Sequence, residues 1–150
     1  MKILVDADSC PRDARNLILR ACGQRGIKAV FAANRPIPGI NGENAVMEIC
    51  PASDNAADNR LVELACRGDL AVSRDLALAK RLLEKGAVVI DDRGRAFTRE
   101  NINELLSLRD FTVGLAENGL GAERTANYGK KELKAFADSL DRLLVKLLKN

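Results

Sequence analysis

The chain has 150 residues, 47% of them hydrophobic and 30% charged, and its 24 Lys and Arg against 21 Asp and Glu leave a net charge of +3. That length can bury a real core, and no apolar run approaches the ~20 residues that a membrane helix needs. There is no histidine, which removes Ser-His-Asp and Cys-His nucleophiles, His-ligated zinc and the commonest general base.

Any chemistry must therefore rest on carboxylates, hydroxyls, lysines and hard cations. The start of the chain has no basic segment followed by an apolar stretch and a small-residue cleavage site, so a cytoplasmic protein is expected. Cys10, Cys22, Cys50 and Cys66 lie far apart and form no C-x-x-C. They read as reduced, mostly buried thiols. A charge of +3 does not by itself call for nucleic acid, and the aromatics (Phe31, Phe97, Phe111, Tyr128, Phe136) are too few for a base-stacking platform.

In chain order, Lys2 to Val5 reads as a short buried strand. Asp8 or Ser9 can cap a helix beginning at Pro11, a residue suited to a first helical position. Leu17, Ile18 and Ala21 give that helix its apolar face, and Gly23 or Gly26 ends it. Ile27 to Ala33 is a second strand, Asn34 to Gly39 a loop, and Asn44 to Cys50 a weakly alternating third strand. Ser53 or Asp54 caps a helix running to about Arg67, with Leu61, Leu64 and Ala65 inward. Leu70 to Ser73 is a strand, Leu76 to Lys85 a helix stopped by Gly86, and Ala87 to Ile90 a further strand before the turn Asp91-Asp92-Arg93-Gly94. Glu100 to Leu108 is helical. Glu117 to Gly129 holds three glycines and reads, out to Lys131, as a mobile loop. Lys130 to Lys149 is a long helix with Leu133, Phe136, Leu140, Leu144 and Leu147 on one face.

Strands alternating with helices over one domain, residues 1–150, imply a three-layer α/β/α architecture around a mainly parallel sheet. Ligands in such folds bind outside the carboxyl ends of the strands, where strand order reverses. The acidic residues gather at those ends. Asp6 and Asp8 follow the first strand, Asp75 follows "LAVS", and Asp91 and Asp92 follow "AVVI". Asp54 and Asp58, four apart, share one helical face. Each also has a purely structural reading: Asp8 as a cap, Asp54 or Ser53 as a cap, Asp91 and Asp92 as turn residues, and Asp58 on a solvated face paired with Arg60 or Arg67. Asp6 and Asp75 lead, because each abuts an apolar strand and no turn requires either.

Carboxylates without histidine suit Mg²⁺ or Mn²⁺, which take oxygen ligands, keep waters and bridge to substrate phosphates. The metal candidates are Asp6, Asp8, Asp54, Asp58 and Asp75. Arg12, Arg15, Arg35, Arg74 and the C-terminal lysines are placed to hold phosphates further out, although arginines are commonly solvated surface charges. Cys10, with no histidine partner, reads as a packed small hydrophobe. The stretch "ENGLGAERTANYGKK" has neither the spacing nor the preceding strand of a phosphate-binding loop.

The segments "ILVDADSCP", "ANRP", "SDNAADNRL", "GDLAVSRDLALA", "KGAVVIDDRG" and "TRENINELLSLR" together resemble the YaiI/YqxD family of bacterial proteins, across nearly the whole chain. That family is considered PIN-like, which implies a metal-dependent nuclease fold and a nucleic-acid substrate, RNA ahead of DNA. On that resemblance Asp6, Asp58 and Asp75 are the catalytic carboxylates, and Ser73 is the hydroxyl companion of Asp75. Asp8 and Asp54 fit the family's own motif. The chain departs from it at "GLGAERTANYG", where similar proteins have a proline-containing Gly-Gly stretch. Two rival readings stand beside the nuclease. One is a haloacid-dehalogenase-like phosphatase with Asp6 as nucleophile, Asp8 as general acid, and Ser73, Lys80 or Lys85 and Asp91-Asp92 in support. The other is a non-catalytic RNA- or nucleotide-binding module.

Overall fold

The computed structural model describes residues 1–53, 55–117 and 128–149, with only the helical backbone over 111–117. Five strands run parallel: β1 (Lys2–Asp6), β2 (Lys28–Ala33), β3 (Ala45–Ile49), β4 (Leu70–Val72) and β5 (Val88–Ile90). A sixth, β6 (Ala96–Phe97), pairs antiparallel with β5. The order across the sheet is β3-β2-β1-β4-β5-β6. The chain thus builds outward from β1 in one direction, then returns to its other side, and strand order reverses between β1 and β4.

Period-2 alternation divides the sheet between two cores. Ile3 and Val5 of β1 join Phe31, Val72 and Ile90 on one face, packed against α1 (Arg12–Arg25) and α5 (Lys130–Leu148) through Ile18, Phe136, Leu140 and Leu144. Leu4, Val30, Ala71 and Val89 face the other way. They meet α2 (Ala56–Leu64), α3 (Leu76–Glu84) and α4 (Ile102–Glu117) through Leu61, Leu78, Leu82 and Ile102. The result is three layers, α/β/α. A strand buried on both faces needs a continuous apolar run, and that is why "ILV" and "AVFAA" read as they do.

Several boundaries differ from the sequence reading, each for a visible reason. Helix α1 starts at Arg12 with Pro11 at the N-cap and no side-chain cap bond. Asp8 and Ser9 do not cap it, because Asp8 Oδ2 accepts from the Asn34 amide and Ser9 Oγ donates to Asp6. Gly26, at φ 65°, ends the helix in the left-handed conformation glycine tolerates. Helix α2 has Asn55 at its N-cap, again without a side-chain bond, so Ser53 contributes only its carbonyl to Ala56 N. Asp54 lies outside the described residues.

Helix α2 also stops at Leu64 rather than Arg67. Ala65 turns extended, and the next amide, Cys66 N, is taken by Asp69 Oδ2 at 2.9 Å. Asp69 is 2% exposed and also accepts from Lys2 N at 3.1 Å and Lys2 Nζ at 2.6 Å. That buried carboxylate therefore ties the start of β1 to the turn before β4. Helix α4 runs from Ile102 to Glu117 instead of Glu100 to Leu108. Thr98 and Asn101 exchange side-chain-to-backbone bonds at its start, and no breaker precedes Gly114. The expected loop from Glu117 lies mostly outside the described residues, between 118 and 127. Among the described residues, no helix is long and apolar enough to cross a membrane. Cys10, Cys22 and Cys50 are buried and Cys66 is exposed, all as free thiols.

Candidate active site

Asp6, the last residue of β1, sits two positions beyond Leu4 and so faces the α2–α3 side. Its Oδ2 accepts two hydroxyl bonds, from Ser73 Oγ at 3.0 Å and Ser9 Oγ at 3.1 Å. Ser73, directly after β4 and 3% exposed, in turn accepts from the Asp75 amide at 3.0 Å. Asp75 caps α3, its Oδ1 accepting from Ala77 N at 2.9 Å and Leu78 N at 3.2 Å. A chain of bonds thus runs from the end of β1 through Ser73 to the start of α3, across the point where strand order reverses. Among the described residues, Asp6 Oδ1 and Asp75 Oδ2 accept no hydrogen bond.

The sequence reading gave Asp75 no structural duty, yet it is a helix cap. The two roles use different oxygens and are compatible.

Asp58, in the first turn of α2, belongs to the same electrostatic neighbourhood. Its carboxyl is raised above the ordinary value, first by burial, then by the negative charges of Asp75 and Asp6, with Arg81 opposing and Asp8 adding a little. Neither expected pairing forms, since Arg60 is held by Glu48 at 2.8 Å and Glu63 at 2.5 Å. Asp6 is likewise raised, mainly by burial, although its two hydroxyl bonds oppose the shift; Asp75 and Asp8 push it further. The negative charges of Asp75 and Asp8 thus act on both Asp6 and Asp58.

Asp8 differs in its commitments. One oxygen holds the Asn34 amide at 3.1 Å, and the other lies 3.8 Å from Arg35 Nε. It fastens the loop after β2 to the loop after β1. Arg35 is accordingly an ion-pair partner of Asp8, largely exposed, rather than an isolated cation.

The pair Asp91-Asp92 separates into two functions. Asp91 is a turn residue, accepting from Arg93 N and Arg95 N, both at 2.9 Å. Asp92 lies in the same turn, closed by Gly94 N on the Asp91 carbonyl at 3.1 Å, but its side chain is not spent there: it is 1% exposed, and both its carboxylate oxygens lack a hydrogen-bond partner among the described residues. Arg74 Nε approaches Asp92 Oδ2 at 3.3 Å, an ion pair out of line for a hydrogen bond. Asp92 lines a narrow crevice with Asp6, Ser9, Cys10, Ser73 and Arg74. Burial raises its carboxyl, with Arg74 opposing. A buried carboxylate with no hydrogen bond is costly, and Arg74 offsets only part of that cost. The sequence signal of Asp92 was the one that singled out Asp6 and Asp75, a carboxylate following an apolar strand, but its place in the turn hid it.

Cys10, in the same crevice, has its thiol pushed up to about 12 by burial and then by Asp92. It is a packed neutral group, as expected. Arg12 lies exposed on the first turn of α1 and does not line the crevice.

Among the described residues, no three His, Cys, Asp or Glu side chains are gathered tightly enough to cage a metal ion. The donor set still fits a hard divalent cation. It is all oxygen, it leaves Asp6 Oδ1, Asp75 Oδ2 and both Asp92 oxygens without hydrogen bonds, and Mg²⁺ is usually held by one or two carboxylates with waters and substrate phosphates completing the shell.

Fold and rim define a three-layer α/β protein with an acidic cluster at its topological switch point. The family model described as uncharacterised YaiI/YqxD family matches residues 4–146, and the chain belongs to that family. It is 48% identical to a UPF0178 protein of Treponema denticola, over 99% of this chain and 95% of that one. It is 44% identical to a UPF0178 protein of Treponema pallidum, over 99% and 84%, and 40% identical to one of Myxococcus xanthus, over 99% and 97%. No solved structure matches the chain significantly.

Proposed function

We propose that this protein is a metal-dependent phosphodiesterase of PIN-like type that cleaves nucleic acid, RNA ahead of DNA. The observation that carries the reading is the division of labour at the switch point: Asp6 and Asp75 each spend one oxygen on the scaffold and keep the other free, with Ser73 joining them. Asp58 approaches from α2 and Asp92 from the end of β5.

Asp6, with Asp58, Asp75 or Asp92, would hold Mg²⁺ or Mn²⁺. The bound ion supplies Lewis acidity toward a phosphoryl oxygen and lowers the pKa of a water. The protein's own contribution is positioning. Ser73 and Ser9 fix the Asp6 carboxylate, the α3 cap fixes Asp75, and the charges that these residues crowd together are relieved when a cation binds. Arg74, held by Asp92 at the crevice, is placed to meet a phosphate.

A metal-dependent cleavage screen over single- and double-stranded RNA and DNA tests the proposal, with Asp6→Asn as control. Cleavage that needs Mg²⁺ or Mn²⁺ and disappears in Asp6→Asn is expected. Activity that survives in EDTA would overturn the metal reading, and the absence of any cleavage beside retained binding would favour the non-catalytic module. The phosphatase reading is disfavoured by Asp8, because its proposed general acid is occupied by the Asn34 amide and Arg35.

A further inference from the structure

Beside the acidic rim lies a cavity of a different kind. It has a volume of 460 Å³ and is lined by Arg12, Arg15, Asn16, Pro38 and Gly39, between the first turns of α1 and the loop after β2. No acidic side chain lines it. The Arg12 side chain has no ion-pair or hydrogen-bond partner among the described residues. Arg15 is steadied from one side only, its Nη1 donating to the Cys10 carbonyl at 2.7 Å, which leaves other guanidinium N–H groups unused. Two guanidiniums thus line one cavity with no carboxylate in its wall, unlike Arg25, Arg35, Arg60, Arg74 and Arg95, each of which pairs with an acid.

The cavity and the rim are mechanically joined. Cys10, whose carbonyl holds Arg15, lines the Asp6 crevice. The loop that supplies Pro38 and Gly39 begins at Asn34 and Arg35, the two residues bound to Asp8. A polyanion approaching the rim meets Asp6, Asp8, Asp58 and Asp75 first, and a cation there relieves repulsion only locally. Affinity for a strand must come from cationic groups nearby, and phosphate contacts are what position a nucleic acid on a protein.

We propose that the Arg12–Arg15 cavity is a phosphate subsite for the nucleic-acid strand, holding a backbone phosphate that flanks the diester at the Asp6 rim. The inference rests on the phosphodiesterase reading above. Arginine presents a planar fork of donors suited to phosphate oxygens. Because it reads the backbone and not the bases, the subsite carries no sequence preference. With so few aromatics in the chain, binding depends on charge and is steeply sensitive to salt.

The test compares wild-type protein with Arg12→Gln, Arg15→Gln and the double variant. Binding of a labelled oligouridylate of about a dozen nucleotides is measured by anisotropy with Mg²⁺ across a range of potassium chloride. Hydrolysis of bis(p-nitrophenyl) phosphate, a diester with no flanking phosphate, is followed in parallel. The double variant is expected to bind the oligonucleotide roughly tenfold more weakly, the size of a lost charge-assisted contact. Its slope of log affinity against log salt should fall by about 0.7, the share of one phosphate on a single strand. Turnover of the small diester should be unchanged. Unchanged oligonucleotide affinity and slope would overturn the subsite, as would loss of small-diester turnover in the double variant, or a wild-type protein that binds no oligonucleotide. The phosphodiesterase reading fails separately: a wild type that cleaves neither substrate yet binds the strand through Arg12 and Arg15 leaves the subsite standing without it.

Discussion

Asp6 holds its charge at a cost. Burial, Asp75 and Asp8 all disfavour its ionised form, and the hydroxyls of Ser73 and Ser9 only partly oppose them. Its folded pKa therefore lies above the ordinary 3.8. As pH rises from 3.8 through the raised value, the folded state binds more protons than the unfolded one, so stability falls. Below 3.8 the penalty is absent. Asp6→Asn removes the ionisation while keeping an oxygen for the two hydroxyls. It is expected to raise Tm at neutral pH in EDTA, with the difference shrinking toward zero as pH drops below the ordinary value. Divalent cation reverses the comparison: Mg²⁺ or Mn²⁺ should raise the Tm of wild type and leave Asp6→Asn nearly unmoved. At a hundredfold excess over Kd the stabilisation is about 2.7 kcal/mol. Equal cation-induced shifts in the two proteins, read by calorimetry, would remove Asp6 from the cation site.

At the scale of elements, α3 tests whether a residue can serve the scaffold and the site together. Asp75→Ala removes the cap and should destabilise the fold by about 1 kcal/mol. Asp75→Asn still accepts from Ala77 N and Leu78 N, so it should fold with little loss, yet weaken cation-dependent cleavage as strongly as alanine does. Denaturant midpoints beside cleavage rates check this, and full activity in the asparagine variant would reduce Asp75 to a cap. A second element-level test concerns the turn after β5. Gly94 has φ 82°, and a Cβ there would meet the Ala135 carbonyl at 2.6 Å and Ser139 Cβ at 2.8 Å. Ser139 Oγ donates to the Gly94 carbonyl at 2.8 Å, so this turn docks α5. Gly94→Ala is expected to cost at least about 2 kcal/mol through strain and displaced packing; a Tm unchanged from wild type would contradict it.

These elements also show what sequence could and could not reveal. Strand β1 and helix α5 were legible, because a run buried on both faces and a 3.6-residue stripe are local patterns. The end of α2 was not, since it depends on Asp69 reaching back to Cys66 while also bonding Lys2, 67 residues away. Strand β6, two residues long, is too short to carry a period. Asp92 was indistinguishable from Asp91 in the sequence; only packing showed that within one turn the Asp91 side chain braces the turn and that of Asp92 lines the crevice.

The site exists only when the sheet and the helical layer of α2 and α3 are assembled, and this gives the whole molecule a test that no single element provides. Asp6 and Asp75 come from neighbouring strand ends, whereas Asp58 comes from a helix that packs over them and can be removed without touching either. In the phosphodiesterase reading, Asp58→Asn lowers cation affinity and cleavage by about 10- to 100-fold, the range seen when groups supporting a metal are lost. Because burial and two nearby negative charges raise the Asp58 carboxyl, its neutralisation should also raise Tm slightly in EDTA at neutral pH. A misfolded variant could not produce that result. A phosphatase with Asp6 as nucleophile makes the opposite forecast, since it passes through an aspartyl-phosphate and places no demand on Asp58. It would keep phosphomonoester turnover in Asp58→Asn and would trap a beryllium fluoride group on the Asp6 carboxylate. The expected outcome is loss of diester cleavage in Asp58→Asn with the fold intact, and no density for beryllium fluoride bonded to Asp6. Monoester turnover unaffected by Asp58→Asn, or a beryllium fluoride adduct at Asp6, would replace the phosphodiesterase with the phosphatase.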